Sequence, residues 1–360
     1  MPAAKKVAAK KTAARPPRAA PHVRTDFSEK LVLQAWLLRL LEAKDFETLC
    51  PPAFRHPDQE GTDTQGISHY HRELINRTVE RASLSHALLL EYDQNIQRHT
   101  ARINRRRREP IRWKYFQYLA LLFTEIYLDR WFTDKEGMLT ALNVFLTDFN
   151  TDLGPEEKLP AYTLEDLRKV ALWQATGSGK TLLMHVNLLQ FLHYQERAGK
   201  RSAPNKLLLI TPSVGMTRQH LEEFAASGID AEVFDKDSSG QMSMFTGQSV
   251  EVLEISKLGA ETKDTVVAVD SFTGSNFVMV DEGHRGARSD EKVFLQRRNA
   301  LCSEGFAFEY SATFGQAMKA ADDAELEAQY ARCILFDYSY KFFHGDGYGK
   351  DYRILNLRAS

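Results

Sequence analysis

The nine residues Trp173-Gln174-Ala175-Thr176-Gly177-Ser178-Gly179-Lys180-Thr181 constrain this chain more than any other stretch. A short apolar run, Val170-Ala171-Leu172, stands before them. A helical apolar pattern through Leu182, Leu183, Met184, Leu188, Leu189, Phe191 and Leu192 follows. A strand that feeds a glycine loop and then a helix is the order that phosphate binding requires. Glycine lets backbone N–H groups close on the oxygens, and the helix N-terminus adds the positive end of its dipole. In that arrangement Thr176, Gly177, Ser178 and Gly179 form the cradle and Lys180 reaches the β- and γ-phosphates of ATP. The Thr181 hydroxyl holds Mg²⁺. The general pattern has a glycine five residues before the Gly179-Lys180 pair, where this chain has Gln174.

Beyond Thr181 the chain alternates short apolar runs with helical patterns. Residues 206–210 read as a buried strand closed by Thr211-Pro212, with a helix over 216–226 behind it. Further runs stand at 231–234, 250–255, 265–269, 277–280 and 306–310. Apolar strands alternating with helices predict an α/β domain whose parallel sheet is covered by helices on both faces. Two of these strands end in chemistry. The run 277–280 delivers Asp281 and Glu282 at a carboxyl end, where α/β sheets place ligands. Beside a phosphate loop, Asp281 is the candidate Mg²⁺ ligand and Glu282 the candidate group that positions and deprotonates the attacking water. The run 306–310 leads into Ser311-Ala312-Thr313. Hydroxyls after a strand ordinarily make turns, and only the company of the other two motifs gives these weight.

The front of the chain has a different character. Residues 1–24, mostly Ala, Lys, Arg and Pro with no acid, cannot bury a core. They form a basic tail that either follows DNA nonspecifically or only solubilises. A helix is expected over 31–43, with Leu31, Leu33, Trp36, Leu37, Leu40 and Leu41 on one face, ended by Pro51-Pro52. Residues 53–66 read as loop and 69–107 as one long helix, whose end (Arg98, Arg102, Arg105 to Arg108) is a charge run of the kind that is usually solvated. A third helical pattern, 111–132, is rich in aromatics and reads as core. Residues 1–112 carry a net charge of +8 and residues 113–360 a net −9. A basic front on an acidic body points to nucleic acid as a partner. Three cysteines, Cys50, Cys302 and Cys333, lie far apart without histidines at metal spacing, as in a reduced cytoplasmic protein. The longest apolar stretch, 118–128, is short for a membrane span and contains Glu125.

Taken together, these motifs resemble the superfamily 2 helicases of the DEAD/DEAH-box kind. The run Asp-Glu-Gly-His-Arg-Gly at 281–286 is most similar to the Res subunits of type III restriction enzymes, and the resemblance covers about residues 111–360. It implies a RecA-like P-loop NTPase domain with ATP and Mg²⁺ as cofactors and DNA as partner. RNA stays open, because motifs that touch only a backbone do not distinguish the sugar. In such a domain His284, Ser311 and Thr313 couple the ATP site to the strand being moved. Ile210-Thr211-Pro212, with Gln219-His220 in the following helix, resembles the motif whose loop and helix start touch the nucleic-acid backbone. Gln117, in Trp113-Lys114-Tyr115-Phe116-Gln117, resembles the family's upstream glutamine, whose amide reads adenine.

Composition and helical patterning mark off a tail (1–24) and a helical region (25–110), and the resemblance implies a first RecA-like domain (111–335) with an outgoing strand and linker (336–360). A second RecA-like domain, which would supply arginine fingers, is expected outside this sequence. Hydrolysis by this portion alone is therefore expected to be weak. A restriction or phage-defence role, a modification methyltransferase partner and a nuclease elsewhere are implied by the family only. Two other readings stand beside the motor: a nucleotide-gated DNA-binding module without turnover, and a P-loop ATPase acting on protein.

Overall fold

The apolar runs that follow the phosphate loop pair almost without exception into one sheet. In the computed structural model, residues 26–78, 84–155, 157–199, 204–234, 249–254, 258–259, 267–268, 274–283, 300–302 and 304–349 are described. The strands are β1 (Lys169–Gln174), β2 (Leu207–Thr211), β3 (Ala231–Val233), β4 (Val250–Glu254), β5 (Leu258–Gly259), β6 (Val267–Ala268), β7 (Phe277–Asp281), β8 (Phe306–Ser311) and β9 (Ile334–Tyr338). Seven of them form a sheet in the order β3-β4-β2-β7-β8-β1-β9, with every neighbouring pair parallel. The short β5 and β6 pair with each other apart from it, so the expected strand at 265–269 does not join the main sheet.

Side chains along each strand alternate between two cores, as a period of two demands. In β1, Val170 and Leu172 face one layer of helices, while Ala171 and Trp173 join Phe314, Met318 and Tyr330 on the opposite face. In β7, Phe277 and Met279 face the first layer, and Val278 and Val280 pack with Leu208, Ile210 and Leu253. Burial on both faces is why these strands read as continuous apolar runs.

The first layer holds the helix Lys180–Ala198 and, packed on it, Tyr115–Thr133 and His86–Asn104. Every residue from Tyr115 to Leu128 except Gln117 is buried, so the aromatic stripe is core. The helices Phe314–Ala321 and Ala324–Cys333 cover the other face beside β1. Near the start of the chain, Val32–Leu40 packs on β9, and Lys30 Nζ pairs with Glu327 Oε1 at 2.6 Å.

Three expectations change. The long helix expected over 69–107 is two, His69–Ile75 and His86–Asn104, the second capped by Ser85, whose hydroxyl accepts the Leu88 N–H. The loop expected at 53–66 contains two short turns of helix, Pro52–Arg55 and Pro57–Gln59, each started by a proline at its first position. The stretch expected as an outgoing strand from 336 is β9, the edge strand beside β1, and the expected boundary falls inside it. Asp337 lies within that strand. Its carboxylate is buried, accepts the Ser339 N–H and is pushed up to about 6 by desolvation. The expected tail, 1–24, lies outside the described residues, as does everything after 349.

Candidate nucleotide-binding and catalytic site

Because β2, β7, β8 and β1 are adjacent and parallel, their carboxyl ends open on one edge of the sheet. The loops starting at Thr211, Asp281, Ser311 and Ala175 meet there. The phosphate loop leaves β1 with the Ala175 N–H bonded to Tyr338 O of β9 at 2.9 Å, and it turns where Ser178 N–H donates to Ala175 O at 3.1 Å. Gly177 and Gly179 hold φ of 85° and 91°, the left-handed region that a side chain resists. Gly179 caps the helix Lys180–Ala198, and its carbonyl accepts the N–H groups of Leu182 and Leu183. The first-turn N–H groups of Lys180 and Thr181 have no acceptor within the helix and point to where an anion would sit. Thr176 and Gly177 are exposed at the loop crest. Gln174, which departs from the general pattern, braces the loop: its buried Oε1 accepts the Ser178 hydroxyl at 3.1 Å.

Lys180 Nζ lies 2.7 Å from Glu282 Oε1 and 3.8 Å from Asp281 Oδ1. The three residues expected to do the chemistry, a hundred positions apart in the chain, thus share one cluster. Asp281 divides its carboxylate, with Oδ1 accepting the Glu282 N–H at 3.0 Å and Oδ2 facing His220 Nε2 at 3.0 Å. Glu282 stands at φ 58°, a left-handed backbone that costs a residue with a Cβ roughly 1–2 kcal/mol. The Gly283 N–H, bonded to Tyr310 O at 2.8 Å, fixes the chain just after it. ATP with Mg²⁺ suits these groups. Thr181 and Asp281 offer only oxygen, which a hard cation prefers, and Lys180 with the helix N-terminus supplies the positive field for phosphate.

Gln117 also arrives here. Its Nε2 donates to Ser178 O at 2.8 Å, and its Oε1 accepts the Lys114 N–H at 2.9 Å. Beside it, Lys114 Nζ lies 4.8 Å above the Tyr348 ring, and Phe343 flanks Gly177. Residues 339–349 therefore fold back onto the phosphate loop, held by Asp346, which accepts the hydroxyls of Tyr115 and Tyr338.

Ser311 ends β8, between β7 and β1, and leads into Thr313. The buried Ser311 Oγ accepts the Thr313 N–H at 3.0 Å, and Trp173 Nε1 donates to Ala312 O at 3.0 Å. His284 lies outside the described residues. Of the expected strand-contacting residues, Gln219 is exposed and Pro212 half-buried. Thr211 is buried, its hydroxyl 2.7 Å from that of Thr217. Its hydroxyl thus shapes the loop from inside, while Ser213, Val214 and Gly215 form the exposed crest.

Two contacts at this site carry no sequence signal. His220 reaches Asp281 from another element, and Trp173 ties β1 to the loop after β8; both contacts exist only once the strands are ordered.

The family described as type III restriction enzyme, res subunit, matches residues 136–316. Among solved structures, the chain is similar to the Sulfolobus solfataricus SWI2/SNF2 ATPase core in complex with dsDNA. Identity is 11%, the TM-score is 0.30, and the match covers 49% of this chain and 34% of that one. The chain thus spans about a third of that structure's chain. No curated protein matches. Among the described residues no helix is long and apolar enough to cross a membrane.

Proposed function

Since the chain belongs to the family of type III restriction enzyme res subunits and carries a helicase-family ATPase motor domain, we propose that it binds ATP·Mg²⁺ and hydrolyses it to drive translocation on DNA. The observation that carries this reading is the cluster of Lys180, Asp281 and Glu282 at the mouth of the glycine loop. Bound Mg²⁺ would be held by Thr181 and Asp281 and would neutralise charge on the β- and γ-phosphates. The chain's own residues do the rest. Lys180 is 2.7 Å from Glu282, so it must exchange that carboxylate for phosphate when nucleotide arrives. The exchange moves Lys180 off Glu282 Oε1, the oxygen that would accept a proton from water. Gln117, already on the loop, would turn its amide to adenine. Ser311 and Thr313, with His284, would relay the nucleotide state to DNA held at Pro212 and Gln219. Arginine fingers would come from a second RecA-like domain. Residence in the cytoplasm, action in a restriction or phage-defence system and pairing with a methyltransferase subunit complete the proposal.

The test is ATP turnover with and without duplex DNA, for the wild type and Glu282→Gln, alongside nucleotide-dependent thermal stabilisation. Stabilisation of both proteins with DNA-stimulated turnover only in the wild type is expected. The loss in Glu282→Gln should be about 10²-fold or more. Stabilisation without turnover in either protein would leave a nucleotide-gated DNA-binding module. No stabilisation would remove the phosphate assignment.

A further inference from the structure

The second oxygen of Asp281 has a partner that the nucleotide chemistry does not require. His220 Nε2 lies 3.0 Å from Asp281 Oδ2, with side-chain exposures of 4% and 6%. A carboxylate only accepts, so Nε2 carries the hydrogen. The other ring nitrogen, Nδ1, is buried with no hydrogen-bond partner among the described residues. Such a buried ring is anchored at one end by Asp281 and otherwise by packing. The bond occupies Oδ2 and leaves Oδ1 turned toward Lys180 and the loop.

His220 belongs to the helix Val214–Ala226, whose N-cap is Ser213. Residues Thr217, His220 and Phe224 recur at the spacing of one helix face, and all three are buried. Each grips a different part of the motor. Thr217 Oγ1 meets Thr211 Oγ1 at 2.7 Å and donates to Ser213 O at 3.2 Å, bracing the crest loop. Phe224 stacks at 4.3 Å on His185, in the helix that starts at the phosphate loop. Between them His220 holds Asp281. At the far end Arg107 ties the helix to the basic run, donating to Glu223 Oε2 at 3.0 Å and Ser227 Oγ at 2.8 Å.

We propose that His220 is a positioning residue for Mg²⁺: its hydrogen bond aims the Asp281 carboxylate and makes that aim depend on the seating of the helix behind the exposed 213–215 crest. A strand pressing on the crest would then act on the metal ligand through one rigid face. The inference rests on the reading of Asp281 as the Mg²⁺ ligand. Partners that orient a metal-binding carboxylate are typically worth 10–100-fold in metal affinity.

The test measures binding of a fluorescent ATP analogue as a function of Mg²⁺ concentration in the wild type, His220→Ala and His220→Gln. In His220→Ala the half-saturating Mg²⁺ should rise about tenfold or more, while binding without Mg²⁺ stays within about twofold, since the phosphate cradle is untouched. Glutamine, whose amide N–H can replace Nε2–H, should recover much of the loss. An unchanged Mg²⁺ requirement in a folded His220→Ala overturns the inference and leaves the nucleotide site standing. Failure of the wild type to bind the analogue at any Mg²⁺ concentration overturns the site reading and the inference with it. Should His220→Ala lose its cooperative melting transition, His220→Asn is compared instead. Its amide stops short of Oδ2, so the same rise is expected and the same constancy is fatal.

Discussion

Gly179 shows how much one residue can carry at this site. Its φ of 91° is strained for any residue with a Cβ, and a methyl there would lie 2.6 Å from Gln117 Nε2. Gly179→Ala therefore meets two penalties, about 1–2 kcal/mol of backbone strain and displacement of the glutamine amide from Ser178. Both fall on the loop and neither on the core. We expect Gly179→Ala to melt cooperatively near the wild type yet bind ATP at least tenfold more weakly in a fluorescence titration; equal affinity would mean that the loop can rearrange without cost. The glycines and Lys180 were readable in the sequence because each residue type there has few alternatives. Glu282 was readable as an acid after a strand, but its left-handed φ was not, since nothing local asks a glutamate to adopt it.

At the scale of elements, β1 is joined to the loop after β8 by one side chain. Trp173 Nε1 donates to Ala312 O, and the indole lies so close to Gly315 that a Cβ there would be 2.4 Å from its ring. The Trp173 side chain thus ties the phosphate-loop strand to the Ser311-Ala312-Thr313 turn. Trp173→Phe keeps most of the apolar contact with Phe314 and Met318 while leaving the Ala312 carbonyl without its donor. The expected cost is about 1–2 kcal/mol of unfolding free energy in denaturant, with nucleotide affinity within about twofold, because the cradle lies beyond the bond. A much larger loss of affinity would show that the turn shapes the cradle itself. The strands were legible because burial on both faces leaves unbroken apolar runs. The place of β9 beside β1 was not legible because pairing between distant segments sets it, and the break in the 69–107 helix was missed because helical residues stand on both sides of it.

For the molecule as a whole, the helical front and the nucleotide-binding sheet share a buried polar network. Glu125, fully buried, accepts from Asn95, Gln190 and Tyr194. Gln190 in turn accepts from Asn187, whose Oδ1 takes the hydroxyl of Tyr310 beside Ser311. Burial pushes the Glu125 carboxyl up from 4.5 to about 7, against the pull of those three donors. Between these values the folded protein keeps a proton that the unfolded chain has lost. This group's contribution to stability is therefore full below about pH 4.5 and declines as pH rises through 7. Buried histidines oppose it: His71, held near 4, and His99 and His185, held near 3, cost stability as pH falls below their ordinary 6.5. Comparing Glu125→Gln with the wild type cancels the histidines. The variant should gain on the wild type by up to about 3 kcal/mol between pH 5 and pH 8, read from paired denaturant melts. A difference constant with pH would place the carboxyl at its ordinary value.

The sequence by itself determined the α/β class, the glycine loop Thr176–Thr181 between strand and helix, and the place of Asp281-Glu282 at a strand's carboxyl end, because strand periodicity and glycine geometry are local requirements that leave few residue choices. Only the tertiary structure decided that Gln117 lies on the loop, that His220 holds Asp281, that Thr211 faces inward and that β9 closes the edge beside β1. Each of these depends on strand order and helix seating, which arise from packing between segments far apart in the chain and leave no mark on any one of them.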